Sequence, residues 1–259
     1  KRLQGSDLAQ AMEKPEYKEM NDPQVIISPH DDYSYVGYLY PATFSKLRVK
    51  TIFLVGVAHR AKKFDMKDRL IFGDFDYWKD AYGKVKVSEL RKSLLSGLDK
   101  QMYSVQTEMM KTEHSLEALL PYIRYENRKV EIIPLLVPYM PYILMDSLSF
   151  ELAEAIHQVA EENQWEWGRD FSIVISSDAV HYGDQDWGGK NFAKFGADTS
   201  GYKRAVAYEM EIIDKTLTGL VTKEKIKEFL SYTVQPDDYC EYKWTWCGRY
   251  SIPFGLLLS

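Results

Sequence analysis

The stretch Thr51-Ile52-Phe53-Leu54-Val55-Gly56-Val57-Ala58-His59-Arg60 decides the fold. A short apolar run rich in β-branched residues reads as a strand, and its carboxyl end runs straight into a histidine. The same kind of run recurs at Val25–Ser28, Arg69–Phe72, Val130–Leu136 and Phe171–Ser176. Between these strands, Leu39–Leu47, Ser88–Leu98, Ser115–Tyr125 and Met145–Glu162 carry apolar residues at helical spacing, as do Tyr202–Leu217 and Glu224–Leu230 further on. Strands alternating with helices are the pattern of βαβ units. The expected fold is α/β, a layered sandwich with a mostly parallel central sheet and helices on both faces. Near the end, Pro253 falls where it opens a further helix in its first turn.

A chain of 259 residues with 45% hydrophobic content is large enough to bury a core and short enough for one domain, so a single domain over 1–259 is expected, with residues 1–23 as an N-terminal extension. The chain stops at Gly255-Leu-Leu-Leu-Ser259 without a polar tail, which reads as a domain whose last part is absent. The net charge of −5, with Lys and Arg scattered, excludes the basic stripe that nucleic acid requires. The apolar runs are strand-sized, far from the roughly 20 residues of a membrane span, so a soluble, cytoplasmic protein is expected. Lys1 stands where a start methionine would be, which leaves an exported form open. Two cysteines, Cys240 and Cys247, are too few for a disulfide scaffold, although one bridge between them fits the spacing. Aromatic residues make up 14% of the chain, and core packing is the simpler reading of them. The Gly- and Asp-rich stretch from Tyr182 to Ser200 reads as the longest loop.

In open α/β sheets, ligands bind beyond the carboxyl ends of the strands. Three strands deliver polar residues there. Val25–Ser28 runs into Pro29-His30-Asp31-Asp32-Tyr33, Thr51–Val57 into Ala58-His59-Arg60, and Phe171–Ser176 into Ser177-Asp178-Ala179-Val180-His181. Taken singly, a histidine after a strand is more often a loop or capping residue. Three on one sheet edge weigh evenly between that reading and metal or catalytic duty. Imidazole suits zinc, iron, copper and nickel, and a nearby thiolate favours softer ions. By spacing alone Cys247 reads as a small buried hydrophobe, the usual state of a free cysteine. Beside it, Gly248 permits close backbone approach and Arg249 favours the thiolate. Glu113-His114-Ser115-Leu116-Glu117 reads as a helix entry, in which His114 is either a cap or a substrate-orienting group. His157, in mid-helix, receives no site role.

Pro29-His30 with Tyr33, Gly56 to His59, Glu113 to Glu117 with Leu120-Pro121, Ser176-Ser177-Asp178 with His181, and Cys247-Gly248 together resemble the ordered motifs of the Memo family, whose microbial members are labelled AmmeMemoRadiSam system protein B. The match runs from about Gln24 to the end. The resemblance implies the fold of the class III extradiol dioxygenases of the LigB type. It implies a metal pocket of His30, His59 and Cys247, with Asp178 and His181 beside it and His181 as acid/base. It also implies that the family domain continues beyond Ser259.

Those dioxygenases hold Fe(II) with two histidines and a glutamate, and a thiol in the third position puts ring cleavage in doubt. Asp31-Asp32 and Val57-Ala58 are further departures from the family pattern, the first read as a solvated loop. The expectation is a mononuclear site for Fe(II), with copper or zinc as alternatives, acting on a small-molecule or peptide ligand. Asp178 would orient His181, and His114 would contact the substrate. A zinc-dependent hydrolase is the first alternative. The second is a non-enzymatic peptide-binding scaffold, with Arg60, Lys62, Lys63 and Arg249 as anion contacts.

Overall fold

The computed structural model describes residues 23–185 and 190–259. The expected N-terminal extension and the tip of the Gly-rich loop therefore lie outside the described residues. The sheet contains β1 (Val25–Ser28), β2 (Thr51–Val57), β3 (Leu70–Phe72), β4 (Tyr77–Asp80), β5 (Gly83–Val87), β6 (Tyr103–Val105), β7 (Glu131–Val137) and β8 (Phe171–Ser176). Its main order is β1-β8-β2-β7-β3-β6, with β5 also on β7 and β4 on β5. The pairs β1–β8, β2–β8, β2–β7, β5–β7 and β3–β6 are parallel, whereas β3 runs antiparallel to β7 and β4 to β5. Among the described residues the result is a mixed sheet of 8 strands, mostly parallel and flanked by helices.

Alternation along the central strands sorts the core into two layers, because successive strand side chains point to opposite faces. Phe53, Val55, Ile133, Leu135, Ile173 and Ile175 face one layer, which Met145, Leu148, Leu152 and Ile156 of the Tyr142–Asn163 helix complete. Ile52, Leu54, Ile132, Leu136 and Val174 face the other, filled by Tyr40, Phe44, Leu116, Leu120 and Ile123. A strand buried on both faces is apolar at most positions, which is why β2 and β8 read so clearly despite Thr51, Ser172 and Ser176. Each such side chain contributes about 1.5–3 kcal/mol by leaving water.

The expected strands form with edges shifted by at most one residue, and the final helix forms over Ser251–Leu257. Three strands were not anticipated. β4 and β5 make a hairpin of mixed charged and apolar residues, turning at Gly83 with φ of 106°, and β6 is only three residues long. The expected helix at Ser115–Tyr125 is shorter: a single 3-10 turn at Glu117–Leu119 precedes the helix Leu120–Glu126, with Pro121 in its first turn. Among the described residues no helix is long and apolar enough to cross a membrane.

Candidate metal centre

The three parallel strands that carry the chemistry are neighbours, in the order β1-β8-β2. Ser28 pairs with Ser176 and Val55 with Ile175, so their carboxyl ends come out together and His30, Asp178 and His59 meet above one edge. Two further segments close the site. The Glu113–Leu116 segment packs over β2 because Gly56 has no side chain; a Cβ there would stand 2.6 Å from Leu116. The Trp246–Ser251 segment lies over β8, where a Cβ on Gly248 would stand 2.0 Å from the Ser177 hydroxyl. Gly248 is thus required for the backbone approach that brings in Cys247.

Both histidine rings are held through Nδ1. His30 Nδ1 lies 2.7 Å from the Ser176 hydroxyl, whose own proton goes to the Ser115 carbonyl. Ser176 therefore accepts from His30, the proton sits on Nδ1, and the Nε2 lone pair is left facing inward. His59 Nδ1 lies 2.7 Å from Glu113 Oε1, so the carboxylate fixes the same tautomer. The two Nε2 atoms converge on Cys247 Sγ, at 3.5 Å from His30 and 3.0 Å from His59.

The surroundings set the charges. Burial lowers the His30 pKa to about 3 against the opposing pull of Asp178, so His30 is neutral. Burial pushes the Glu113 carboxyl up, but hydrogen bonds from the His59 ring and the Ser115 backbone N–H prevail and hold it at about 2. Glu113 also accepts from the backbone N–H groups of His59 and His114. Burial drives the Cys247 thiol far above its ordinary range; the Asp178 backbone N–H favours the thiolate, and Arg249 does so only weakly. The expected help of Arg249 to the thiolate has the expected direction but is the smallest of these effects, because its guanidinium stacks on Tyr242 at 3.4 Å.

The flanking groups are ordered as well. Asp178 Oδ1 accepts from the backbone N–H groups of His30 (2.7 Å) and Asp31 (3.0 Å), while Oδ2 lies 3.3 Å from His30 Nε2 and 3.8 Å from His181 Nε2. Asp178 thereby raises the His181 pKa. His114 stacks on His59 with ring centroids 4.5 Å apart, and burial lowers its pKa. Asp32 caps the short helix Tyr33–Val36 by accepting from Ser34 N, in keeping with a loop role, and Asp31 lines an open groove of about 500 Å³ with His30, His114 and Glu117. His157 stands apart on the surface, 3.2 Å from Glu161.

The structure thus brings His30, His59 and Cys247 together, with donor atoms all within 4.8 Å of one another; Asp178, His181 and Cys247 form an overlapping group, as do His59, Glu113 and His114. A family model for Memo-like proteins matches residues 3–259.

The chain belongs to the Memo-like family.

Its curated relatives agree at modest identity. A MEMO1 family protein of Pyrococcus furiosus is 25% identical over 162 residues, and one of Pyrococcus abyssi 30% over 162. One of Schizosaccharomyces pombe is 25% identical over 250 residues, covering 88% of this chain and 73% of the relative. The two archaeal matches cover 61% of this chain, which spans about half the length (52%) of those relatives. Within this Memo-like site, the sequence did not disclose the roles of Glu113 and Ser176. Glu113 accepts from the backbone N–H of the adjoining His114 but holds the ring of a histidine 54 positions away, and Ser176 reads simply as the last residue of a strand. The one available signal was their position, at a strand end or beside a histidine.

Proposed function

We propose that His30, His59 and Cys247 hold one transition-metal ion, and that the protein is a metal-dependent redox enzyme related to the extradiol dioxygenases. The observation that carries this reading is the pair of fixed tautomers, which turn both Nε2 lone pairs onto one sulfur. A histidine whose Nδ1–H is held by a carboxylate or hydroxyl is the arrangement in which imidazole serves as a ligand. The donor set fits the group, since two neutral imidazoles and a thiol supply nitrogen and sulfur to a borderline or soft ion, iron first and copper second. Such an ion would supply electron transfer and would displace the thiol proton that burial otherwise retains.

The surrounding residues have separable tasks. His181, whose pKa Asp178 raises, is the proton-carrying group at the edge of the site. Asp178 orients it and neutralises the proton it carries. His114, half exposed and stacked on His59, presents its ring edge to a small-molecule or peptide ligand in the groove. Glu113 and Ser176 keep the two ligand rings from turning.

The test is the metal content of protein purified without oxygen, for wild type and Cys247→Ser, followed by oxygen uptake. Iron or copper near one per chain in the wild type, depleted in the variant, supports the reading. Zinc with ester or amide hydrolysis would replace it with the hydrolase, because two imidazoles and a thiolate leave a fourth tetrahedral position for water. A wild type free of metal would overturn both.

A further inference from the structure

A second cleft of about 500 Å³ is lined by Arg249, two positions after Cys247, and by none of the three proposed ligands. It is lined by Lys62, Lys67, Tyr139, Lys190, Tyr242 and Arg249, among others, and shares no residue with the His30 groove. Four cations line it against two carboxylates, Asp65 and Glu241, and Glu241 is held in an ion pair with Lys190.

Arg249 is the informative residue. It is 3% exposed, yet among the described residues no carboxylate pairs with it. Its guanidinium lies over three rings, at 3.4 Å from the centroid of Tyr242, 4.8 Å from Tyr250 and 5.6 Å from Tyr139. Nη2 donates to the Cys240 carbonyl at 3.2 Å, the Tyr250 hydroxyl lies against the group, and Nε has no hydrogen-bond partner. A buried cation without a counter-charge is costly, and aromatic faces with one carbonyl compensate it only in part. Arginine is the residue whose planar fork matches an oxyanion, and lysines at the rim add point charge.

We propose that this cleft binds a phosphate group, with Arg249 as the buried fork and Lys62 and Lys67 closing over the anion from the loop after His59. The volume exceeds that of phosphate alone and falls in the usual range for small-molecule sites. The ligand class is therefore inorganic phosphate or a small phosphomonoester whose body rests on Tyr139 and Tyr242. Of the four basic residues considered from sequence as anion contacts, only Lys62 and Arg249 line the cleft, and Arg60 and Lys63 do not.

The experiment is calorimetric titration with inorganic phosphate and with glycerol phosphate at low and high salt. Wild type, Lys62→Ala with Lys67→Ala, Arg249→Lys and the metal-site variant His59→Ala are compared. Binding of either probe by the wild type is expected to weaken with salt and to fall at least about tenfold in the double lysine variant, whose side chains are exposed and whose folding is not at stake. Arg249→Lys, which keeps the charge and loses the fork, should fall further. His59→Ala should bind as wild type does, which separates this site from the metal site. The proposal is overturned if the wild type binds neither probe, if the lysine variant binds equally well, or if His59→Ala abolishes binding.

Discussion

His30 and His59 leave neighbouring ends of the same sheet and face the same sulfur, yet they are held in opposite ways. His30 is held by a neutral hydroxyl, its side chain is 1% exposed, and burial keeps it uncharged. His59 is held by a carboxylate and its side chain is 26% exposed. The difference shows how one site orients two imidazoles by unlike partners. A hydroxyl orients an imidazole with little effect on its electrons, whereas a carboxylate orients it and makes it the stronger donor. The His30 ring is thus oriented at Nδ1 by a hydroxyl and kept neutral by burial against the pull of Asp178, whereas the His59 ring is oriented at Nδ1 by a carboxylate.

The largest expected effect breaks the charged side. Glu113→Ala leaves four N–H donors without their acceptor, those of the His59 ring and of the His59, His114 and Ser115 backbones. Loss of about 3–5 kcal/mol of stability is expected, measured by denaturant unfolding, together with loss of bound metal. On the neutral side, Ser176→Ala removes one acceptor and one donor and should cost about 1–3 kcal/mol, with metal affinity about 10–100-fold weaker by competition with a chelator. If Ser176→Ala proves the more damaging of the two, the division between the two sides fails.

Acid distinguishes the sides by range. Both groups have pKa values below their unfolded values, so each stabilises the fold above the unfolded value, and that stability is lost as pH falls. For His30 the loss begins near 6.5 and runs towards about 3; for Glu113 it begins near 4.5 and runs towards about 2. Metal-free protein should therefore start to lose thermal stability below pH 6.5, and His30→Asn should make that first decline shallower. The smallest effect is a control: His157→Gln, on an exposed pair with Glu161, should change stability by less than about 0.5 kcal/mol and leave metal content unchanged.

The phosphate cleft extends the contrast. Arg249 was read from the sequence as a partner of the thiol two positions away, but its side chain turns to Tyr242 and a different opening. Sequence neighbours on an irregular segment need share no environment.

By itself the sequence determined the α/β class and its principal strands, because strands buried on both faces are apolar at most positions, as β2 and β8 are apart from Thr51, Ser172 and Ser176. It also determined that His30, His59 and Asp178 share an edge, since parallel strands deliver their next residues on the same side. The β4–β5 hairpin escaped because it is half exposed, with no continuous apolar run. Only the tertiary structure decided that Cys247 joins the histidines from 188 and 217 positions away, that Glu113 and Ser176 fix their tautomers, and that Arg249 faces elsewhere. These depend on distances between segments remote in the chain, set by core packing and by glycines such as Gly56 and Gly248, and periodicity along the sequence carries no record of them.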